Sequence, residues 1–382
     1  MTAETIAAES SAHRPRQLVL LGGGNAHVRV LSMLAAHPLP GVQVTLVAPY
    51  PRQIYPGMVP GYIAGRYTLD DCVLPLEPLV KRTGLRWLRH HVKKLNVQNQ
   101  TVQLDDASVL HFDWLSVNTG PDQNREQIEQ ALPGAREHAL FVHPIEVFTA
   151  LWPKVAQMGD ARALRVAVIG GSAVGIELAL AVRQRLPNAA VTLVCGAAPP
   201  GSNYPTNVQQ RLLVALRNRR VTVLQDLAVA FREGAVRLGC GADLACDIPL
   251  LAVDAQAPVW LTDSELARDE DGLISVDMYQ RCTSHRCVFM AGGEGTRKES
   301  TLARSAAYAL RYGPSLATNL AATVTGGTLV PHTSSAGALD LLACGTRYAV
   351  GSWRNSSFEG RWVWWLKDWI DRRLVARLRA GD

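Results

Sequence analysis

Two glycine-rich breaks constrain this chain more than anything else in it. Leu18-Val19-Leu20-Leu21 runs into Gly22-Gly23-Gly24 and then into an apolar-periodic segment opening with Asn25-Ala26-His27. The pattern predicts strand, tight turn, helix. In such a turn the first glycine reverses the backbone and the second lets it approach a pyrophosphate. The N–H groups opening the helix supply donors and a positive dipole end. Gly22 and Gly24 hold those places, while His27 stands where a third glycine would let helix and strand pack closely. Alone, the motif fits an ordinary strand-to-helix turn as well as a nucleotide cradle. A second copy changes the weighing. Arg165-Val166-Ala167-Val168-Ile169 enters Gly170-Gly171-Ser172-Ala173-Val174-Gly175-Ile176-Glu177 about 148 residues on, with Ser172 at the middle-glycine place.

The repeat predicts an α/β fold with two Rossmann-like dinucleotide-binding domains. The expected division has a disordered leader over 1–16 and a discontinuous first nucleotide domain over 17–120 and 255–325. A second nucleotide domain takes 121–254, and a small aromatic and basic C-terminal region takes 326–382. A chain of 382 residues can bury cores of that number, and 48% hydrophobic against 19% charged residues excludes a disordered polymer. Residues 1–16 lack the basic start and apolar centre of a signal peptide, and no apolar run of about eighteen residues is present to span a bilayer. The seven cysteines then read as reduced thiols of a cytoplasmic protein.

Several places along the chain bear on ligands. The second strand, Val42–Val47, ends in Ala48-Pro49-Tyr50-Pro51, where a dinucleotide site usually carries an acid for the adenosine ribose. Tyr55-Pro56-Gly57-Met58-Val59-Pro60-Gly61 is either a loop that lies against a flat ring or a proline-stiffened connector. Short segments at 85–88, 91–97 and 101–104 predict a three-stranded antiparallel insertion. An apolar strand from Trp114 then ends at Thr119-Gly120, the expected crossover between domains. The strand after the second glycine turn ends in Cys195-Gly196-Ala197, with neither an acid to prefer NAD nor an arginine for a 2′-phosphate. Cys282 and Cys287 have the gap of a redox-active pair but lie in a turn far from the first unit, which favours coincidence. With His285 as their only nearby histidine, a metal site is not expected. Gly292-Gly293-Glu294 is the last strand-to-helix turn, ahead of a helix predicted over 301–321.

The formal charge of +6 is unevenly spread. Arg361, Arg372, Arg373, Arg377 and Arg379 crowd one short stretch, and five of the nine tryptophans fall between 353 and 369. A helix there places Trp362, Trp365 and Trp369 at turn spacing. Two readings compete: this face lies on an anionic membrane surface, or the tryptophans cover the cofactor domain as core. A basic patch confined to one helix is weak ground for nucleic acid, and no nucleic-acid partner is expected.

Taken together, the paired glycine turns, Thr119-Gly120 and the glycines at 292–295 resemble the two-domain flavoproteins of the pyridine nucleotide-disulfide oxidoreductase superfamily. Gly22-Gly23-Gly24-Asn25-Ala26-His27, the Tyr55–Gly61 loop with Ala64-Gly65, and Gly360-Arg361-Trp362-Val363-Trp364 with Lys367-Asp368-Trp369-Ile370-Asp371-Arg372-Arg373 are similar to one branch of it. That is the type II NADH dehydrogenase-like branch found fused to or beside selenide, water dikinase, in which His27 is the usual residue. The resemblance implies FAD on the first unit, NAD(P)H on the second, and electron delivery to a quinone or similar small acceptor. It implies cofactor-binding roles for Gly22, Gly24, Asn25 and His27, for Tyr55, Pro56 and Gly57, and for Thr119 and Gly120. It implies the same for Gly170, Ser172, Gly175 and Glu177, and for Gly292, Gly293 and Glu294. No side chain need act as acid or base, because the flavin carries the chemistry. Against full function stand the missing ribose acid, Val253-Asp254 in place of a second Thr-Gly, and Gly293 where an Asp would bond the ribityl chain. The alternative is therefore a flavin-poor relative that binds a nucleotide or a partner without turnover. A peripheral contact with the inner face of the membrane stays open.

Overall fold

The computed structural model describes residues 15–120, 122–253, 257–270, 272–292, 295–296, 306–332, 339–354 and 356–380. Leu18 to Leu21 are buried on both faces of their strand, as a strand inside a parallel sheet must be. This strand, β1 (Arg16–Leu21), leads through the glycine turn into helix α1 (Asn25–Ala36) and back to β2 (Val42–Val47). A short helix α2 (Val59–Ile63) follows, then β3 (Arg86–Leu88) and β4 (Trp114–Val117). The second copy repeats the plan with β5 (Leu140–Phe141), β6 (Arg165–Ile169), helix α3 (Ala173–Arg185), β7 (Ala190–Val194), β8 (Thr222–Leu224) and β9 (Ile248–Leu251). Strand β10 (Val288–Met290) then returns to the first sheet.

The first sheet runs β10-β4-β1-β2-β3 and the second β5-β9-β6-β7-β8. Every pairing in both is parallel. In each, the chain leaves the glycine-turn strand to one side and comes back on the other. Both turns therefore open at a topological switch point, where ligands of open α/β sheets bind. Residue 16 is already in β1, so the expected leader does not extend that far.

The alternation of side chains along the strands decides which core each face joins. Leu18 and Leu20 pack with α1 and with Val166, Val168 and Leu193 of the second sheet in one continuous core. Val19, Leu21, Leu115 and Val117 turn to the other face and meet Leu95, Val102 and Leu104 of a three-stranded antiparallel sheet. That insertion comprises 92–96, 101–104 and 109–111. It departs from the sequence expectation by one strand: residues 86–88 pair with β2 as the parallel edge of the first sheet. A three-residue strand carries too little pattern to reveal its partner.

Past β10, helix α4 (Ala306–Thr325) packs along α1, and its residues 301–305 of the expected span lie outside the described residues. An antiparallel meander of β11 (Asp340–Ala343), β12 (Ala349–Trp353) and β13 (Ser356–Gly360) leads into helix α5 (Arg361–Ala380). Helix α5 buries Val363, Lys367, Asp371, Val375 and Leu378, a stripe at the helical repeat. Trp362, Trp365 and Trp369 are 58%, 53% and 58% exposed, so these three do not cover a core. All seven cysteines are free, Cys282 and Cys287 included.

Candidate functional site

At each glycine turn the sheet comes closer to the turn than any side chain would allow. Gly22 has φ +91°, and a β-carbon on it would overlap the carbonyl oxygen of Asn118 and the Cα of Thr119 at the end of β4. Gly170 has φ +132°, and its β-carbon would overlap the carbonyl of Ala252 beyond β9. The equivalence extends to hydrogen bonds: Gly22 N–H donates to Val47 O at 2.7 Å, and Gly170 N–H to Val194 O at 2.9 Å. Only glycine is compatible with both the left-handed backbone and the contact.

The two helix N-termini above these turns differ. Ser172 caps α3 without a side-chain bond, Val174 is exposed, and among the described residues nothing accepts from the N–H groups of Ala173 and Val174. That end of α3 is open to a ligand, and Gly175 lies against the Gly170 carbonyl so that the helix sits close on its strand. The N-terminus of α1 is served from inside. Asn118 Oδ1 accepts from the N–H groups of Ala26 at 3.0 Å and His27 at 3.2 Å, and its Nδ2 donates to Ala291 O at 2.6 Å. Gly24 N–H donates to Asn118 O at 3.1 Å, and a Leu76 methyl stands where a β-carbon on Gly23 would be. This leaves the Gly23 and Asn25 N–H groups without a partner among the described residues, beside a buried, unsatisfied Asn25 Oδ1.

His27 faces inward. Its Nδ1 lies 2.6 Å from Gly22 O and its Nε2 2.8 Å from Ser116 Oγ. A carbonyl only accepts, so Nδ1 carries the proton and Nε2 accepts from the serine hydroxyl. The neutral ring is fully satisfied, and burial lowers its pKa from 6.5 to about 4 against the raising effect of the Gly22 bond. Both nitrogens are used by the protein, so the ring staples helix to strand and has no atom left for a ligand.

The Tyr55–Gly57 segment meets α5. Tyr55 is buried with its ring over Gly57, and its hydroxyl donates to Asp371 Oδ1 at 3.1 Å; Pro56 opens a single 3₁₀ turn behind it. Lys367 Nζ donates to Gly57 O at 2.8 Å and to Asp371 Oδ2 at 2.7 Å. Burial disfavours the Lys367 charge, but Asp371 and Glu177 outweigh it and hold the ammonium above its ordinary range. Burial also raises Glu177, to about 7, with Lys367 opposing; its Oε1 accepts from Ala343 N–H at 2.6 Å. Glu177 is thus turned toward β11 and α5.

Thr119 is exposed and Gly120 takes a positive φ with open space around it. Gly292, φ +116°, follows β10, while Gly293 and Glu294 lie outside the described residues. Asn118 and Leu76 carry no signal in the sequence, and Lys367 and Asp371 stand there only as part of the motif behind the resemblance, with no site role. For the last two a signal existed, since Val363, Lys367 and Asp371 share one helical face. Among the described residues one trio of metal-ligand type gathers, His90, Asp105 and Asp106 at the surface.

Comparison with known proteins accords with this geometry. The model of the pyridine nucleotide-disulphide oxidoreductase family matches residues 16–308. The alternative NAD(P)H-ubiquinone oxidoreductase C1 of Arabidopsis thaliana is 24% identical over 238 residues, 55% of this chain and 44% of that protein. A probable ferredoxin reductase, CtmF, of Castellaniella defragrans is 26% identical over 254 residues, 62% of this chain and 58% of that protein. The match thus spans about half the length of these curated relatives. The solved structure of NDH2 from Plasmodium falciparum in complex with NADH superposes with a TM-score of 0.78 at 11% identity, over 96% of this chain and 98% of that one, a likeness of fold.

Proposed function

Because this chain belongs to the pyridine nucleotide-disulphide oxidoreductase family, we propose that it is an FAD-dependent NAD(P)H:acceptor oxidoreductase. It takes hydride from a nicotinamide cofactor and delivers electrons to a quinone or similar small acceptor. The observation that carries this reading is the repeated cradle, two glycine turns at two switch points in one chain. FAD, when bound, supplies the electron chemistry. The residues at the first turn fit it: the free N–H groups of Gly23 and Asn25 suit pyrophosphate oxygens, and the orphaned Asn25 amide suits a ribityl or ribose hydroxyl.

The chain's own groups hold, orient and exclude. The open N-terminus of α3 receives the pyrophosphate of the nicotinamide nucleotide, with Ser172 small enough to let it approach. Tyr55, Gly57 and Lys367 form a rigid wall, since each is tied by a hydrogen bond to α5 or held by a residue so tied. Glu177 accepts from Ala343 N–H and so ties the first turns of α3 to β11. The exposed tryptophans and arginines of α5 support a cytoplasmic protein with peripheral contact to an anionic membrane. No described helix is long and apolar enough to cross one.

A second reading, nucleotide binding without turnover, draws on Asn118, whose amide occupies two of the N–H groups that open α1. Purified protein separates the two. The oxidoreductase shows flavin absorption that bleaches on anaerobic addition of NADH or NADPH and returns with a soluble quinone. Colourless protein that neither takes up added FAD nor oxidises NAD(P)H refutes the first reading and leaves the second.

A further inference from the structure

Away from both glycine turns, a cleft of about 450 Å³ opens between the segment after α2, the far end of α3, the β11–β12 turn and the start of α5. Three guanidinium groups line it: Arg66, Arg347 and Arg372. Each stacks on a ring. Arg66 lies 5.4 Å from the centroid of Trp364, Arg347 5.8 Å from Trp365, and Arg372 4.9 Å from Tyr67. Stacking orients a guanidinium without satisfying its N–H donors, which lie in the plane of the group and point past the ring.

The cleft has one carboxylate, and it is already engaged. Asp368 Oδ1 accepts from the Tyr67 hydroxyl at 2.5 Å and from Arg372 Nε at 3.1 Å. Arg66 and Arg347 have no carboxylate within ion-pair distance among the described residues. Three positive charges therefore face one negative, an excess of two. Two polar atoms on the walls, Arg66 Nε and Gln184 Oε1, are buried without a partner. Burial first, and then Arg347, holds the Arg66 guanidinium below its ordinary range, as two cations sharing a cavity should. Orphaned donors and uncompensated like charges are costly for folding alone, and both costs vanish when an anion enters.

We propose that this cleft binds a phosphoryl group carried on a hydroxyl-bearing ester. A dianion of three oxygens matches three guanidinium donors and the excess charge, and the ester's hydroxyl gives Gln184 Oε1 the donor it lacks. The ester is either a soluble phosphate or the headgroup of an anionic lipid. Trp365 sits at the mouth and belongs to the exposed face of α5, so a lipid headgroup would reach the cleft from the proposed membrane side. The site does not depend on that contact or on the flavin.

The test uses the full chain with two probes, glycerol 3-phosphate followed by calorimetry at fixed ionic strength, and co-sedimentation with phosphatidylcholine vesicles containing phosphatidylinositol 4-phosphate, whose phosphomonoester sits on a ring with free hydroxyls. Arg347→Gln and Arg66→Gln are compared with Arg377→Gln, which removes the same charge from α5 outside the cleft. Arg347 is exposed, so its variant folds even where Arg66→Gln does not. Saturable binding of glycerol 3-phosphate, weakened about tenfold or more by the cleft variants and unchanged in Arg377→Gln, supports the site with a soluble ligand. Vesicle binding alone, with the same pattern of loss, supports it with a lipid. Absence of binding to both probes, or equal loss in all three variants, overturns it.

Discussion

His27 makes the stability of this protein depend on pH in a way that can be worked out in advance. The ring is wholly buried with both nitrogens satisfied only in its neutral form, and its pKa falls from 6.5 to about 4 on folding. The folded state binds this proton more weakly than the unfolded chain does. The contribution is therefore complete above pH 6.5 and drains as pH falls through 6.5 toward 4. At the acid limit the gap corresponds to about 3 kcal/mol, and between pH 7 and pH 5 to about 2 kcal/mol. Glu177 acts in the opposite direction. Burial raises it from 4.5 to about 7, so its contribution is full below 4.5 and is lost as pH rises through 7. The wild-type profile alone mixes the two, and the variant His27→Gln separates them, because glutamine fills similar space, keeps an N–H for the Gly22 carbonyl and does not titrate. Urea unfolding of both proteins at pH 7 and pH 5 is expected to show the wild type losing about 2 kcal/mol relative to the variant. Parallel pH profiles would refute the argument, since they would mean that the native ring already takes up its proton in this range.

Gly22→Ala and Gly170→Ala each force a β-carbon into backbone at positive φ, and each should lower stability by about 2–3 kcal/mol or more, read as a fall in the thermal midpoint. Lys367→Met strands Asp371 in a buried site and should cost about 3–5 kcal/mol, whereas the double variant Lys367→Met/Asp371→Leu should cost less than the single; urea midpoints of the three proteins decide it. On α5, Val363→Ala should cost about 1–3 kcal/mol, while Trp365→Ala should stay within about 0.5 kcal/mol of wild type, since one side chain is buried and the other is not.

Both glycine turns were legible in the sequence because a strand-to-helix turn is a local event. The apolar run, the glycines and the helix that follow one another in the chain also follow one another in space. The same holds for α5, whose helical spacing put Trp362, Trp365 and Trp369 on one face. What was not legible depends on residues far apart in the chain. Asn118 reads as one polar residue at a strand end, and only the return of β4 beside β1 brings its amide under the first turn of α1, 92 positions from the Ala26 N–H it accepts. The resemblance implies a cofactor-binding role for His27, and its inward turn follows from Ser116, a strand away. The sequence reads 85–88 as part of the antiparallel insertion because a strand of three residues carries no mark of whether its partner lies before it or after it.

Helix α5 closes over the segment that follows the first nucleotide turn. Asp371 meets Tyr55 and Lys367 meets Gly57 across 316 and 310 positions, Asp368 meets Tyr67 across 301, and Arg379 reaches the carbonyls of Asp70 and Val73. During translation the residues of this lining emerge some 300 positions before their partners. The Tyr55–Asp371 and Gly57–Lys367 hydrogen bonds can form only once the chain has been made through residue 371. A chain cut anywhere between residues 186 and 361 would keep both glycine turns and leave the Tyr55–Gly57 segment without its partners on α5.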